Sequence, residues 1–534
     1  MQSPALALLG LALVSPLAAR PTPASSDASS AAYALLELPH AAVALEVDDD
    51  DDTVRDFRRY FRRYEDTATR VEAILALEGI ESTKVVDALV PILKHEEFEV
   101  VRAAVSILAA FETDEPIAHI WETIDDKRDE PTRVGLLWAI ADGGYGGDPE
   151  VFEELLEDRS WEVRRRAANA VVSSGLENAA AMVAPLCADG ETAVRCAALE
   201  GLAVLRSELV VEPAIASLEH EVWQVRASAT LALGRVRSRD AIGPLIARMQ
   251  VEEGRLVADI GEALANITGR DFGQRVEGWV GFWEQWGDRF EIPSDEDLAR
   301  LRAAQAERRE FYNPPGSVSY HGISTPSRSI LFVIDVSGSM ENEVIERERF
   351  EDGEYPSYQR IDIVKTELAR TIENLEPYVK FNVFAFATEI EQWKGRLVSA
   401  NVLNKSSAME WVGRLEALGG PSREDLAGAG LAGSANLEAG KTNTYGALME
   451  ALGVAGQGLK DEHYEVGVDT IFFLSDGRPS HGRYVDVHDI LREVRTANDL
   501  RKVVIHTIAL GEFQKSFMRM LAEQNGGTFV DLGR

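Results

Sequence analysis

Apolar positions run along this chain in two rhythms, one helical and one of strand length. From about residue 53 to 270 they recur at the spacing of amphipathic helices, in paired short segments. The pairs themselves repeat. Arg70 in ATRVEAILAL, Arg102 in VVRAAVSILAA, Arg133 in TRVGLLWAIA, Arg164 in VRRRAANAV, Arg195 in VRCAALEGLAVL, Arg226 in VRASATLALG and Val257 in RLVADIGEALA share one register, with a first spacing of 32 residues and five of 31. Units of this length with two helices each predict an all-α solenoid. After about Ser329 the rhythm changes. ILFVID (330–335), KFNVFAFA (380–387), DTIFFLSD (469–476), KVVIHTIAL (502–510) and GTFVDL (527–532) are apolar on both faces, as buried parallel strands are. Helical segments at 360–375, 407–418, 444–457, 486–500 and 514–524 alternate with them. Such alternation predicts an α/β domain with a doubly wound, mostly parallel, Rossmann-like sheet.

The shifts in pattern set a multidomain plan. The solenoid occupies 53–300, its last part carrying Trp279, Trp283 and Trp286, which are expected to cap the open end of the stack. A charged helix and a Pro/Gly/Ser-rich stretch make a linker over 301–328, and the α/β domain fills 329–534. Residues 20–52 are rich in Ala, Ser, Pro and Asp and end in EVDDDDD, which predicts a disordered acidic linker. Residues 1–19 hold an apolar run, Ala5 to Val14, followed by small residues. The run is too short to span a bilayer and fits a secretory signal. Export to the periplasm or beyond the cell is expected, and a cytoplasmic place otherwise.

Charge narrows the partners. The formal charge is −34, and such a field repels nucleic acid and anionic membrane surfaces. Cys187 and Cys196 are the only cysteines. They are too few for a disulfide framework and fall on apolar helical faces, so buried thiols are expected. The repeated arginine has two readings, a basic ladder for acidic partners or a packing device between units. One charge per unit in one register favours packing. Asp158 and Asp189 stand six residues before Arg164 and Arg195, where an aspartate can cap the next helix. The short, Ala-rich, Val-Arg-marked units resemble HEAT repeats of the short bacterial type.

The candidate chemistry lies at the strand ends of the α/β domain. The first strand runs into Asp335-Val-Ser337-Gly-Ser339, a later one ends at Asp476, and Thr442 opens a helix in GKTNTYGAL. Ligands gather beyond the carboxyl ends of strands in such sheets. Two carboxylates and three hydroxyls, without His or Cys, suit Mg²⁺, Mn²⁺ or Ca²⁺ and disfavour zinc. Neutral hydroxyls leave the cation short of negative charge, so it seeks an Asp or Glu from a partner protein. DVSGSM, Thr442 and Asp476, in this order, resemble the DxSxS-marked metal-ion-dependent adhesion site of von Willebrand factor A domains. The resemblance implies direct coordination by Ser337, Ser339 and Thr442, and contact through water for Asp335 and Asp476. Two stretches depart from the family by length, 343–360 and 419–440, and are expected to form a recognition rim.

Rival readings are weaker. Residues 435–442 meet the loose phosphate-loop pattern, but a Gly/Ala/Ser loop stands where a strand is required. His481 near Asp476 is a candidate base with no paired nucleophile, so no enzyme is expected. The strongest alternative is an architectural scaffold that binds through the solenoid, the metal being structural only.

Overall fold

The computed structural model describes residues 50–126, 129–306, 318–417, 440–453, 467–511 and 515–532. The expected signal, most of the acidic linker and residues 435–439 of the phosphate-loop pattern lie outside them. The first helix begins at Asp50, inside the stretch read as a linker, and runs to Arg63. Val54 and Phe57 explain this start, since both are buried against the first repeat.

The repeat register marks seven helices: Thr67–Leu75, Phe98–Leu108, Glu130–Gly143, Trp161–Ser173, Thr192–Val204, Trp223–Val236 and Leu256–Thr268. Each packs beside the next, and the first helix of each pair packs against its own partner. Alanine at Ala104, Ala139, Ala168, Ala198 and Ala229 is fully buried, which lets the helices approach closely.

The arginines are a packing device. Arg164 donates to both carboxylate oxygens of Asp189 in the next unit, at 2.8 and 2.9 Å, and to the Asp158 carbonyl at 2.8 Å. Arg226 repeats this with Glu252, at 2.9 and 3.1 Å, and with the His220 carbonyl at 2.8 Å. Arg133 pairs with Asp158. A planar guanidinium with several donors can hold a carboxylate and a turn carbonyl at once. Arg195 donates instead to the carbonyls of Asp189 and Ala188. The capping role expected for Asp158 is corrected. Ser160 caps the helix, and Asp158 accepts from the Ser160 amide at 2.8 Å in the turn before it.

Cys187 and Cys196 are buried free thiols, and burial pushes both up to about 11. At the end of the stack, Trp279 is fully buried and Trp283 packs on the same core, while Trp286 is half exposed. Among the described residues, no helix is long and apolar enough to cross a membrane.

The second module is a seven-stranded sheet. Its strands are β3 (Ser329–Asp335), β4 (Lys380–Phe386), β5 (Ile390–Gln392), β6 (Val398–Ser399), β7 (Thr470–Ser475), β8 (Val504–Ala509) and β9 (Phe529–Asp531). They run in the order β5-β4-β3-β7-β8-β9, with β6 also on β4. Strands β4, β3, β7, β8 and β9 are parallel, and β5 and β6 are antiparallel to β4. Apolar clusters on both faces bury the central strands, as their unbroken hydrophobic runs require. The expected linker over 301–328 is shorter than read. A hairpin of β1 (Val318–Tyr320) and β2 (Ile323–Thr325) lies within it, and Val318, Tyr320 and Ile323 join the domain core. The helix Asp295–Ala306 fills its other end.

Candidate functional site

Strands β3 and β7 are neighbours, with Ile334 opposite Leu474. From β3 the chain first builds outward through β4 and then returns to β7 on the other side. The sheet order therefore reverses between β3 and β7, and the loops beyond their carboxyl ends part to leave a crevice. Three main-chain bonds tie these loops together. The Val336 amide donates to the Phe386 carbonyl at 2.8 Å, Gly338 to Gly440 at 3.1 Å, and Asn443 to Ala387 at 2.9 Å.

All five residues singled out from the sequence meet in this crevice. Asp335 Oδ1 accepts from the Ser337 amide at 2.8 Å, and its Oδ2 accepts from Ser475 Oγ at 2.6 Å. Ser339 Oγ donates to Asp476 Oδ1 at 2.6 Å and lies 3.2 Å from Ser337 Oγ. The other oxygen of Asp476 pairs with Arg360. Thr442 faces the same space. A Cβ placed on Gly477 would lie 3.1 Å from Thr442 Oγ1, 3.3 Å from Ser339 Oγ and 3.8 Å from Asp335 Oδ2. Oxygens from all three loops thus surround one small volume that glycine leaves open. Thr442 does not open the helix, as its position in the sequence implied. The helix runs Thr444–Ala451, and Asn443 caps it through the Gly446 amide at 2.9 Å.

The site is deeply placed. Asp335, Ser337, Thr442 and Asp476 are buried, and Ser339 is partly exposed. Burial, and then the charge of Asp476, push Asp335 up to about 7, against the bonds from Ser337 and Ser475 that favour its ionised form. Two buried carboxylates so close together call for positive charge, and Arg360 supplies one unit of it. The donor set fits a hard divalent ion. The carboxylates would give the charge, the hydroxyls neutral oxygens, and the volume beside Gly477 the room.

Four contributors escaped sequence reading: Arg360, Ser475, Ser480 and Gly477. Ser475 and Gly477 flank Asp476 and could have been noticed there. Arg360 could not, because only folding brings it across. The long stretch 343–360 closes on itself, with Val344 bonded to the Tyr358 carbonyl at 2.9 Å and Arg360 to the Asn342 carbonyl at 3.0 Å. Its Val344 and Phe350 enter the domain core, so the base of this rim is anchored. Residues 419–439 of the second long stretch lie outside the described residues. The loop after Asp476 folds back on Thr442, whose carbonyl accepts from the amides of Ser480 and His481 at 3.0 and 3.2 Å. Ser480 Oγ accepts from the Thr442 amide at 3.0 Å.

Comparison with known proteins agrees with this layout. A model of HEAT repeats matches residues 57–141 and 182–265. A model of the von Willebrand factor type A domain matches residues 353–428 and 433–531, a span that contains Thr442 and Asp476 and begins after Ser339. Inter-alpha-trypsin inhibitor heavy chain H4 of Homo sapiens is 27% identical over 208 residues, which are 39% of this chain and 18% of that protein. Heavy chain H1 of Sus scrofa is 25% identical over 233 residues, 43% of this chain and 21% of that protein. Heavy chain 4 of Mus musculus is 32% identical over 98 residues, 18% of this chain and 9% of that protein. The chain thus spans about a fifth, or less, of the length of these curated relatives. With the repeat stack, the parallel sheet and these matches together, the chain is a multidomain protein in which HEAT repeats are followed by a von Willebrand factor type A domain.

Proposed function

We propose that this protein is a non-catalytic, metal-dependent binding or scaffold factor. A divalent cation, Mg²⁺ in the first instance with Mn²⁺ or Ca²⁺ as alternatives, is held by Ser337, Ser339 and Thr442, with Asp335 and Asp476 behind them. A carboxylate from an Asp or Glu of a partner protein completes its shell. The observation that carries this reading is the convergence of Thr442, Ser339 and Asp335 oxygens around the space beside Gly477. The cation would also offset the burial and the Asp476 charge that together raise Asp335. HEAT repeats and a von Willebrand factor A domain both favour a protein-interaction role over catalysis. The alternative, recognition through the solenoid with a merely structural metal, is disfavoured because acidic and basic residues on the stacked helices already engage this chain's own second module. Arg165 with Asp499 and Glu200 with Lys502 are examples.

The test is calorimetric titration of Mg²⁺, then Mn²⁺ and Ca²⁺, into the chelator-stripped full chain, with a carboxylate-bearing peptide added afterwards. One ion per chain is expected, and peptide binding only in its presence. The cation needs ionised Asp335, and in the metal-free protein that group holds its proton below about 7. Affinity should therefore be level above that pH and fall toward tenfold per pH unit beneath it. No ion bound at millimolar concentration overturns the reading.

A further inference from the structure

The two modules meet across pairs of opposite charge. From Asp50 onward they form a single unit. Arg102 of the solenoid leaves the repeat pattern and pairs with Glu493 of the helix Val487–Asn498, both side chains being almost wholly buried. Farther along, Arg165 pairs with Asp499, and Glu200 takes Lys502 Nζ at 2.7 Å. The Lys502 carbonyl accepts from Arg255. Three repeats thus grip one short turn, Asp499–Lys502, between that helix and β8. Lys502 has a φ of 56°, a left-handed conformation that side-chain-bearing residues adopt at a cost. Such a residue persists where its surroundings over-determine it, and here both its ammonium and its carbonyl are held from the solenoid.

The grip also reaches the site. Arg483 ends the loop that begins at Asp476, and it pairs with Glu97 and Glu99 of the solenoid. The next residue, Tyr484, packs edge-on to Tyr445, with ring centroids 4.9 Å apart, and lies under the Arg102 guanidinium at 5.8 Å. Tyr445 is in the first turn of the helix that follows Thr442. The middle of the same loop is bonded to Thr442 through Ser480 and His481. Two of the three loops of the site are therefore fastened to the repeat stack, through side chains that have no other evident task.

We infer that the solenoid is a seat for its own von Willebrand factor A domain, and that seating and occupancy of the oxygen site are linked through the loop Asp476–Tyr484. The second half rests on the cation reading above; the first does not. A buried charge pair is costly to break one-sidedly and tolerable when exchanged, so the pair Arg102 and Glu493 tests both halves. The full chain is prepared as Arg102→Glu, as Glu493→Arg and as the double exchange. Small-angle scattering reads the seating, and calorimetry reads Mg²⁺. Each single variant should enlarge the radius of gyration and change Mg²⁺ affinity at least about fivefold, the lower range of coupling between linked sites. The double exchange should restore both. Unchanged scattering in both single variants overturns the seat. Separated modules with unchanged Mg²⁺ affinity overturn the link. Should the parent chain bind no Mg²⁺, the cation reading and the link fall together, while scattering still decides the seat. A single variant that fails to fold is covered by the double exchange, whose failure to restore scattering also counts against the seat.

Discussion

Asp335→Ala is expected to remove Mg²⁺ binding from the full chain, by at least about 100-fold, since loss of an outer-shell partner alone typically costs 10–100-fold. Asp335 is one of only two carboxylates among the five residues, and its two oxygens also fix the Ser337 amide and the Ser475 hydroxyl. Alanine removes half of the negative charge and frees the turn that aims Ser337 and Ser339. The same change should leave metal-free stability nearly untouched. Two hydrogen bonds are lost, each worth about 1 kcal/mol net. Against this, a carboxylate that burial and Asp476 hold up at about 7 no longer has to be ionised inside the fold. Urea unfolding in chelator should therefore show a midpoint close to the parent's. Retention of Mg²⁺ affinity within tenfold would sink the assignment of Asp335. A collapse of the metal-free midpoint would mean the residue serves the fold first.

Gly477→Ala is the complementary experiment, because it deletes no oxygen. Gly477 is not among the glycines at positive φ, so its backbone accepts a side chain without strain. The added methyl, however, would stand 3.1 Å from Thr442 Oγ1 and 3.3 Å from Ser339 Oγ, tighter than ordinary carbon contacts. It fills the volume in which an ion or its waters must sit. Mg²⁺ affinity should drop by at least about tenfold, as expected when a small octahedral ion loses room for its shell. Calorimetry on the full chain decides it. Unaltered affinity would place the ion elsewhere, whatever Asp335→Ala had done.

Much of the fold could be read in advance because the relevant signals are local or periodic. A packing residue that returns every 31 residues betrays a stack, and five unbroken apolar runs betray buried strands. What escaped was short or distant. Strands β1, β2, β5 and β6 have two or three residues each, below the length at which alternation can be seen. Tyr320, fully buried in the core, looked like part of a linker because its neighbours are Gly, Ser and His. The site divides in the same way. DVSGSM carries three of its residues in one turn, and Asp476 and Thr442 could be placed by the order in which they follow. Arg360 joins them only through the closure of a long loop, and Ser480 only through a fold-back. The charge pairs between modules left no trace in the sequence. An arginine that turns outward to Glu493 looks the same, one letter at a time, as one that turns along the stack to Asp189.

The ladder of arginines has a mechanical meaning. Where Arg133, Arg164 and Arg226 clasp an acid of the following unit, neighbouring repeats are riveted as well as packed. Between the units of Arg195 and Arg226 the described residues show no such rivet, and a bond from the Ser228 hydroxyl to Glu200 joins them beside the apolar contact. A stack pulled along its axis would yield more readily where an arginine clasps no acid of the next unit, as at Arg102, which turns to Glu493, and at Arg195. At the second of these places the sheet acts as a splint, since Glu200 before it and Arg255 after it both hold Lys502.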